Sequence, residues 1–135
     1  MHYEGKNYNF QAEICPTITV DKKIVSSTRI RELIVSGDLQ SVNTLLGRPF
    51  TYISKVVHGD KRGRKLGFPT ANLEIGKHRA MLPNGAYAVA VRFGVSDYCG
   101  IANIGDNPTF KIDKRRIEVY IDGFKGNIYG REIEV

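Results

Sequence analysis

The sequence lacks the features that mark secreted, disulfide-stabilised or membrane proteins. It has only two cysteines, Cys15 and Cys99, too few to hold zinc by themselves or to form a disulfide framework. They could pair with each other, but we favour two reduced thiols in a cytosolic protein. No apolar run approaches the roughly 18 residues of a membrane span. The first ten residues have no basic region followed by an apolar stretch, so we predict no signal peptide.

The composition is that of a soluble globular domain. Of the 135 residues, 41% are hydrophobic and 25% are charged, which excludes a disordered or fibrous chain. The length corresponds to one domain, or to one domain plus a fragment. No internal repeat or low-complexity run is present.

The positive charge is unevenly distributed. Residues 1–46 carry five basic and five acidic side chains, whereas residues 47–135 carry fifteen basic and nine acidic ones, so the whole net charge of +6 lies in the second part. Its densest portion, residues 55–65, has five basic residues and one acidic residue. Such a cluster suits a phosphate ligand or a nucleic-acid backbone, although a solvated lysine-rich loop is an equally simple interpretation.

The first part of the chain predicts a short strand region followed by two helices. Alternating apolar residues favour a half-buried strand over residues 10–15, and residues 17–20 are β-prone before a turn at 21–23. Serine and threonine at 26–28 can cap a helix that Gly37 ends. Asp38 can cap a second helix that ends at Gly47. We therefore predict a helical hairpin over residues 28–46.

After Gly47 the hydrophobic period changes from about 3.6 to 2, which predicts strands. Short strands separated by turns, with no helix between them, indicate a mainly β fold, an antiparallel barrel or sandwich. Small residues at Ala86, Ala88 and Ala90 would suit a tight barrel interior. The last predicted strand, residues 131–135, has no evident partner, so we expect an exposed edge there and a chain excised from a longer protein. The predicted strands cover residues 50–57, 86–93, 98–104, 117–121 and 131–135.

The stretch from residue 57 to residue 73 combines glycine with positive charge. Gly59, Gly63 and Gly67 allow left-handed backbone and close backbone approach, and Lys61, Arg62, Arg64 and Lys65 lie between them. A loop of this kind, here residues 58–72, can wrap a polyphosphate. It is neither a Walker A loop nor a G-x-G-x-x-G motif, and a mobile hairpin loop has the same composition.

Thr70 and Asn72 follow this loop. Pro69 biases the preceding residue to extended geometry, and residues two apart in an extended chain face the same side. A hydroxyl and an amide carbonyl would then be presented together beside the predicted phosphate loop. Oxygen donors of this type suit Mg²⁺, although ordinary turn chemistry also explains both residues.

Three blocks of the sequence resemble the riboflavin kinase domain of bacterial bifunctional FAD synthetases. The first runs from His58 to Leu73 and continues at 85–89, the second covers 100–110, and the third joins 117–121 to 122–130. Val25–Arg31 looks like the last motif of the adenylyltransferase domain that precedes the kinase in those enzymes. The resemblance spans essentially the whole chain.

The resemblance implies a fold, substrates and residue roles. The fold would be a six-stranded antiparallel Greek-key barrel with a C-terminal helix, and the reaction would convert riboflavin and ATP into FMN and ADP. Glu118 matches the glutamate that accepts the proton of the ribityl 5′-hydroxyl, and its strand pattern directs it away from Ile117, Val119 and Ile121. Thr70 and Asn72 match the Mg²⁺ and phosphate positions. The ATP-binding positions are Gly59, Lys61, Arg62, Gly63, Lys65, Gly67, Pro69, Thr70 and Asn72.

The match also implies what the chain lacks. Residues 1–46 would be the C-terminal remnant of the adenylyltransferase domain, too short to form FAD, and residues 47–135 a kinase barrel without its C-terminal strand and helix. We therefore expect weak or slow kinase activity from this chain. The remnant of the adenylyltransferase ATP motif would consist of Ser26, Ser27, Thr28, Arg29 and Arg31.

Two alternatives remain at this point. A small basic barrel of the OB type would bind nucleic acid and would use aromatic residues such as Tyr52, Tyr87 and Phe93 to stack bases. A non-catalytic oligomerisation module would use its exposed strand edge to associate with another chain. We favour the kinase, a cytoplasmic enzyme with small-molecule partners, no nucleic-acid or membrane partner, and self-association left open.

Overall fold

The computed structural model describes residues 13–59, 70–76, 78–106 and 115–135. The chain begins with a small hairpin of β1 (Thr19–Val20) and β2 (Lys23–Ile24). Its turn places Asp21 and Lys22 at positive φ. The strand expected over residues 10–15 is wrong for its described part, because residues 13–15 are exposed and form no strand.

The predicted helical hairpin is present as α1 (Ser27–Ser36) and α2 (Leu39–Leu46). The Ser26 side chain accepts a hydrogen bond from the backbone N–H of Arg29, and the Asp38 carboxylate accepts one from that of Ser41. Each cap satisfies an N–H group that has no partner inside its helix. The helices end at Gly37 (φ 83°) and Gly47 (φ 66°), where left-handed backbone favours glycine. These four capping residues confirm the boundaries predicted from the sequence.

Six strands close into an antiparallel barrel in the order β3-β4-β7-β6-β5-β8. Strands β5, β6 and β7 are consecutive neighbours, and β4 lies beside β7 although a long connection leads from β4 to β5. This is the Greek-key arrangement, which confirms the predicted fold class. The strands are β3 (Ile53–Val57), β4 (Thr70–Leu73), β5 (Gly85–Phe93), β6 (Ser96–Asp106), β7 (Arg115–Ile121) and β8 (Glu132–Glu134).

The interior is filled by large residues and not by the alanines of β5. Ala86, Ala88 and Ala90 are exposed, whereas Val91 is fully buried and Tyr87 is half-buried. The expectation of an alanine-lined interior is therefore wrong. Successive strand residues face opposite sides, and burying the larger side chains of β5 removes more apolar surface from water.

The last strand is paired on both sides, contrary to the expected exposed edge. β8 pairs with β3 over three residue pairs and with β5 through Arg92 and Glu134. Ile133 is 1% exposed, because its side chain lies inside the barrel. Closure to β5 thus rests on one register pair, next to the ion pair of Arg92 with Asp97. The guanidinium of Arg92 lowers the pKa of the Asp97 carboxyl.

The helical hairpin and the barrel share one hydrophobic core. Ile34 of α1 and Val42 of α2 belong to the same buried cluster as the barrel residues, and the Asn43 side chain accepts a hydrogen bond from the backbone N–H of Phe50. Tyr52 donates its hydroxyl hydrogen to the carbonyl of Ala80 and accepts the N–H of Leu82. Burial raises the pKa of the Tyr52 hydroxyl, so this group is neutral at physiological pH.

Two further sequence expectations concern thiols and membranes. Cys15 and Cys99 are both free, and both are exposed. Among the described residues no helix is long and apolar enough to cross a membrane.

Candidate active site

Polar side chains line up across three neighbouring strands on the outer face of the barrel. In β7, Ile117, Val119 and Ile121 are buried inside the barrel, so Glu118 points outward. Asn72 of β4 is the register partner of Glu118 on one side, and Asn103 of β6 is its partner on the other. Directly paired residues share a face of the sheet. Asn72, Glu118 and Asn103 therefore form one row.

Thr70 lies in the next row of the same face. It pairs with Tyr120, two residues from Glu118, and it is two residues from Asn72. The predicted common face of Thr70 and Asn72 is therefore present. The expectation that residues 70–72 belong to a loop is wrong, because they lie in β4 between β3 and β7.

Asn72 differs from the other two residues of the row in its burial. It is 7% exposed although its neighbours in the row are half-buried or exposed, and its Oδ1 atom has no hydrogen-bond partner among the described residues. A buried amide oxygen without a partner is costly, and such groups are rare in folded proteins. An oxygen in this state is suited to accept a ligand, in particular a cation.

Most of the predicted phosphate loop falls outside the described residues. The proposed roles of the site residues in this part stay predictions. These residues are Lys61, Arg62, Gly63, Lys65, Gly67 and Pro69. The two ends of the loop are described. Gly59 lies against the Asn72 side chain, and Thr70 lies two residues before Asn72 in β4. Of the two purposes expected of Gly59, the left-handed backbone is not found, whereas the close approach of its backbone to another group is present at the Asn72 side chain.

A cavity of about 330 Å³ lies beside Thr70. It is lined by barrel residues that face inward, such as Ala71 and Val119, and by the segment 124–129, which includes Lys125. Sequence reasoning placed no site residue in this segment, which follows β7 and lacks a regular pattern. The sequence feature that could have pointed to this segment is its position in the third block of the resemblance, within residues 122–130.

The segment that lines this cavity after β7 is held against the end of β3. The rings of His58 and Tyr129 stack with their centroids 4.0 Å apart and their planes 27° apart. The backbone of Val56 donates to the carbonyl of Arg131 and accepts the N–H of Gly130. These contacts hold residues 128–131 against the strand that leads into Gly59. Neither His58 nor Tyr129 was predicted as a site residue.

A larger cavity, of about 560 Å³, lies elsewhere, between α2, the segment 48–52 and β5. It borders none of the predicted kinase residues. The predicted remnant motif, Ser26, Ser27, Thr28, Arg29 and Arg31, borders neither cavity. Ser26 uses its hydroxyl oxygen to cap α1, which gives this motif a structural purpose.

The aromatic residues do not support a nucleic-acid surface. Tyr52 is 5% exposed, and Tyr87 and Phe93 pack partly buried against the core. The hydroxyl of Tyr87 donates to the carbonyl of Pro83, and Phe93 packs edge-on against Phe124. Their faces are used inside the fold, so the base-stacking role expected of an OB-type barrel is not favoured.

A cation at this site would have few protein ligands. No group of three or more histidine, cysteine, aspartate or glutamate side chains in the described part of the chain could hold a metal ion. Thr70 and Asn72 instead offer two neutral oxygens. Mg²⁺ commonly binds to one or two protein groups together with substrate phosphates and water, and this donor set fits that description.

Comparison with known proteins gives one consistent family. The flavokinase family, described as riboflavin kinase, matches residues 46–135. Bifunctional riboflavin kinase/FMN adenylyltransferases are similar over most of the chain: that of Listeria monocytogenes is 44% identical over 93% of the chain, that of Haemophilus influenzae 40% over 97%, and that of Escherichia coli K12 37% over 97%. The chain spans only 40% to 42% of the length of these relatives.

A solved structure supports the same fold. A protein from Streptococcus pneumoniae described as a macrolide-efflux protein superimposes with a TM-score of 0.76 and is 38% identical. The match covers 89% of this chain and 40% of that one. The barrel with its helical hairpin therefore recurs within a longer protein.

Proposed function

The chain belongs to the riboflavin kinase family, and from that premise we propose that it transfers the γ-phosphoryl group of ATP to riboflavin, producing FMN and ADP. The observation that carries the proposal is the row of Asn72 and Glu118, with Thr70 beside it on the same outer face. Together, Thr70, Asn72 and Glu118 offer a carboxylate and two neutral oxygen donors. Phosphoryl transfer depends mainly on positioning and charge neutralisation, and these groups can supply both.

Glu118 is the proposed general base. As the ribityl 5′-hydroxyl oxygen of riboflavin forms a bond to the γ-phosphorus, the bond from phosphorus to the bridging oxygen breaks and ADP leaves. The hydroxyl proton passes to the Glu118 carboxylate. The half-buried position of Glu118 on the outer face leaves its carboxylate accessible to a substrate.

Thr70 and Asn72 are the proposed protein ligands of Mg²⁺. The Asn72 Oδ1 atom is buried and has no partner among the described residues, and the Thr70 hydroxyl lies on the same face. Bound with ATP, Mg²⁺ would neutralise charge on the phosphate oxygens. The two residues would fix where those oxygens lie relative to Glu118.

The cavity of about 330 Å³ beside Thr70 is the proposed nucleotide site. Its Lys125 offers a positive charge, and the apolar barrel residues in its lining suit a base or a sugar ring. The phosphates would extend from it past Thr70 toward the glycine-rich segment. The family resemblance assigns phosphate contacts there to Gly59, Lys61, Arg62, Gly63, Lys65, Gly67 and Pro69.

The relatives that carry two activities suggest how this chain is organised. We propose that residues 47–135 form the kinase barrel and that residues 1–46 are the tail of an FMN adenylyltransferase domain. Residues 47–135 would then carry the phosphorylation of riboflavin. Its proposed partners are the small molecules ATP and riboflavin, and its proposed location is the cytoplasm.

Replacement of Glu118 by glutamine tests this function. The amide keeps the shape of the carboxylate but does not accept the proton, so kcat should fall by about 10²–10⁴-fold, with little change in KM for ATP. Steady-state FMN formation measures both constants. A raised KM for ATP at unchanged kcat would show that Glu118 binds substrate and is not the base.

A further inference from the structure

Gly59 is in close contact with the side chain that carries the unpartnered oxygen. A Cβ atom added at Gly59 would overlap the Cγ and Nδ2 atoms of Asn72 and would lie 2.6 Å from its Oδ1. Real Cβ atoms do not approach other heavy atoms so closely. Because the backbone of Gly59 is not left-handed, its lack of a side chain provides space and not conformational freedom.

We propose that Gly59 is a positioning residue for the Asn72 carboxamide, and this inference rests on the proposed function of Asn72 as a cation ligand. No hydrogen bond from the described residues holds Oδ1. Its direction must therefore come from packing, and the main chain at Gly59 is the surface against which the amide lies. Any larger residue at position 59 would turn the amide or push β3 and β4 apart.

The backbone is fixed on both sides of this contact. Asn72 is fixed in register by Val57 on one side and by Glu118 on the other. The chain at Gly59 is held by the stacking of His58 on Tyr129 and by the pairing of Val56 with residues 130 and 131. A methyl group at position 59 would therefore displace the Asn72 amide, the one group in the contact that can rotate.

Thermal melting of four forms of the chain tests the contact without ligand: wild type, Gly59→Ala, Asn72→Ala and the double variant. Overpacking by one methyl group should lower the Tm of Gly59→Ala by about 3 °C or more. In the Asn72→Ala background the overlapping atoms are gone, so the same change should move Tm by less than about 1 °C. Recovery of a cooperative melt in the double variant supports the contact even if Gly59→Ala alone does not fold.

Stabilisation by ADP and Mg²⁺ tests the positioning role itself. The Mg²⁺ concentration for half-maximal stabilisation should rise about 10-fold in Gly59→Ala, as it should in Asn72→Ala. Gly76→Ala is the matched control, because a Cβ at Gly76 meets nothing within 4 Å; its Tm and its Mg²⁺ requirement should equal those of the wild type.

The possible failures are distinguishable. An equal loss of Tm on changing Gly59 in both backgrounds overturns the inference, as does a normal Mg²⁺ requirement in Gly59→Ala when Asn72→Ala has an abnormal one. If the wild type makes no FMN and gains no stability from ADP and Mg²⁺, the proposed function fails, and the positioning role that depends on it fails with it. The ligand-free melts would still report whether Gly59 and Asn72 are in contact.

Discussion

At the scale of residues, the candidate site depends on side chains that are far apart in sequence. Thr70 and Asn72 come from β4, and Glu118 comes from β7, forty-six positions after Asn72. The outward direction of Glu118 and the common face of Thr70 and Asn72 follow from the two-residue period of a strand, so both were predictable. The burial of Asn72 was not predictable, because it depends on the main chain at Gly59 lying against it.

The hydroxyl of Thr70 gives a prediction at this scale. Thr70→Ala removes one of the two proposed oxygen ligands and should raise the Mg²⁺ requirement of FMN formation by about 10–100-fold. Thr70→Ser keeps the hydroxyl and should retain most of the wild-type activity. Magnesium titrations of the initial rate measure both variants. Equal Mg²⁺ requirements in Thr70→Ala and wild type would exclude Thr70 as a ligand.

At the scale of elements, local signals and long-range pairing differ in how far the sequence reveals them. The two helices were predictable because Ser26, Gly37, Asp38 and Gly47 act on their own helix ends. The pairing of β8 with β3 joins residues about eighty positions apart, and no local pattern reports such a contact. In β5, the alternation of side chains predicted that the strand has two different faces, but it did not show which face lies inside the barrel.

Gly100 lies at a close approach of β6 and β7. A Cβ there would overlap the carbonyl oxygen of Tyr120 and would lie 3.3 Å from Cγ2 of Val91. Gly100→Ala should therefore destabilise the fold by about 1–3 kcal/mol, measured by urea unfolding. Gly105→Ala in the same strand is the control, since its nearest contact would be 3.9 Å away. Equal stability of the two variants would contradict the close approach of β6 and β7 at Gly100.

The Asp38 cap predicts a pH dependence for α2. Hydrogen bonds from Ser41 lower the pKa of the Asp38 carboxyl, so the folded state favours the ionised form. The cap therefore stabilises the protein fully above the unfolded pKa of about 4, and this contribution is lost as pH falls through the lower folded pKa. Wild type should melt above Asp38→Ala at pH 7, and the gap should narrow below about pH 4. A gap unchanged at pH 3 would contradict the charged cap.

At the scale of the whole molecule, two cavities adjoin different parts of the barrel. The cavity of about 330 Å³ adjoins Thr70, whereas the cavity of about 560 Å³ adjoins α2 and the closure of β5 on β8. The family match over residues 46–135 covers every barrel strand. The fold class and the family were predictable from three sequence blocks in order, but the cavities arise from packing of segments that have no regular pattern.

Chromatographic separation of flavins after incubation of the chain with riboflavin, ATP and Mg²⁺ tests the central claim most directly. We predict that FMN appears together with an equal amount of ADP, and that Glu118→Gln lowers FMN formation by about 10²-fold or more. Circular dichroism is the control for the folding of both proteins. FMN formation by the folded wild-type chain at no more than the rate of folded Glu118→Gln would contradict the proposed kinase and the role of its outer-face row.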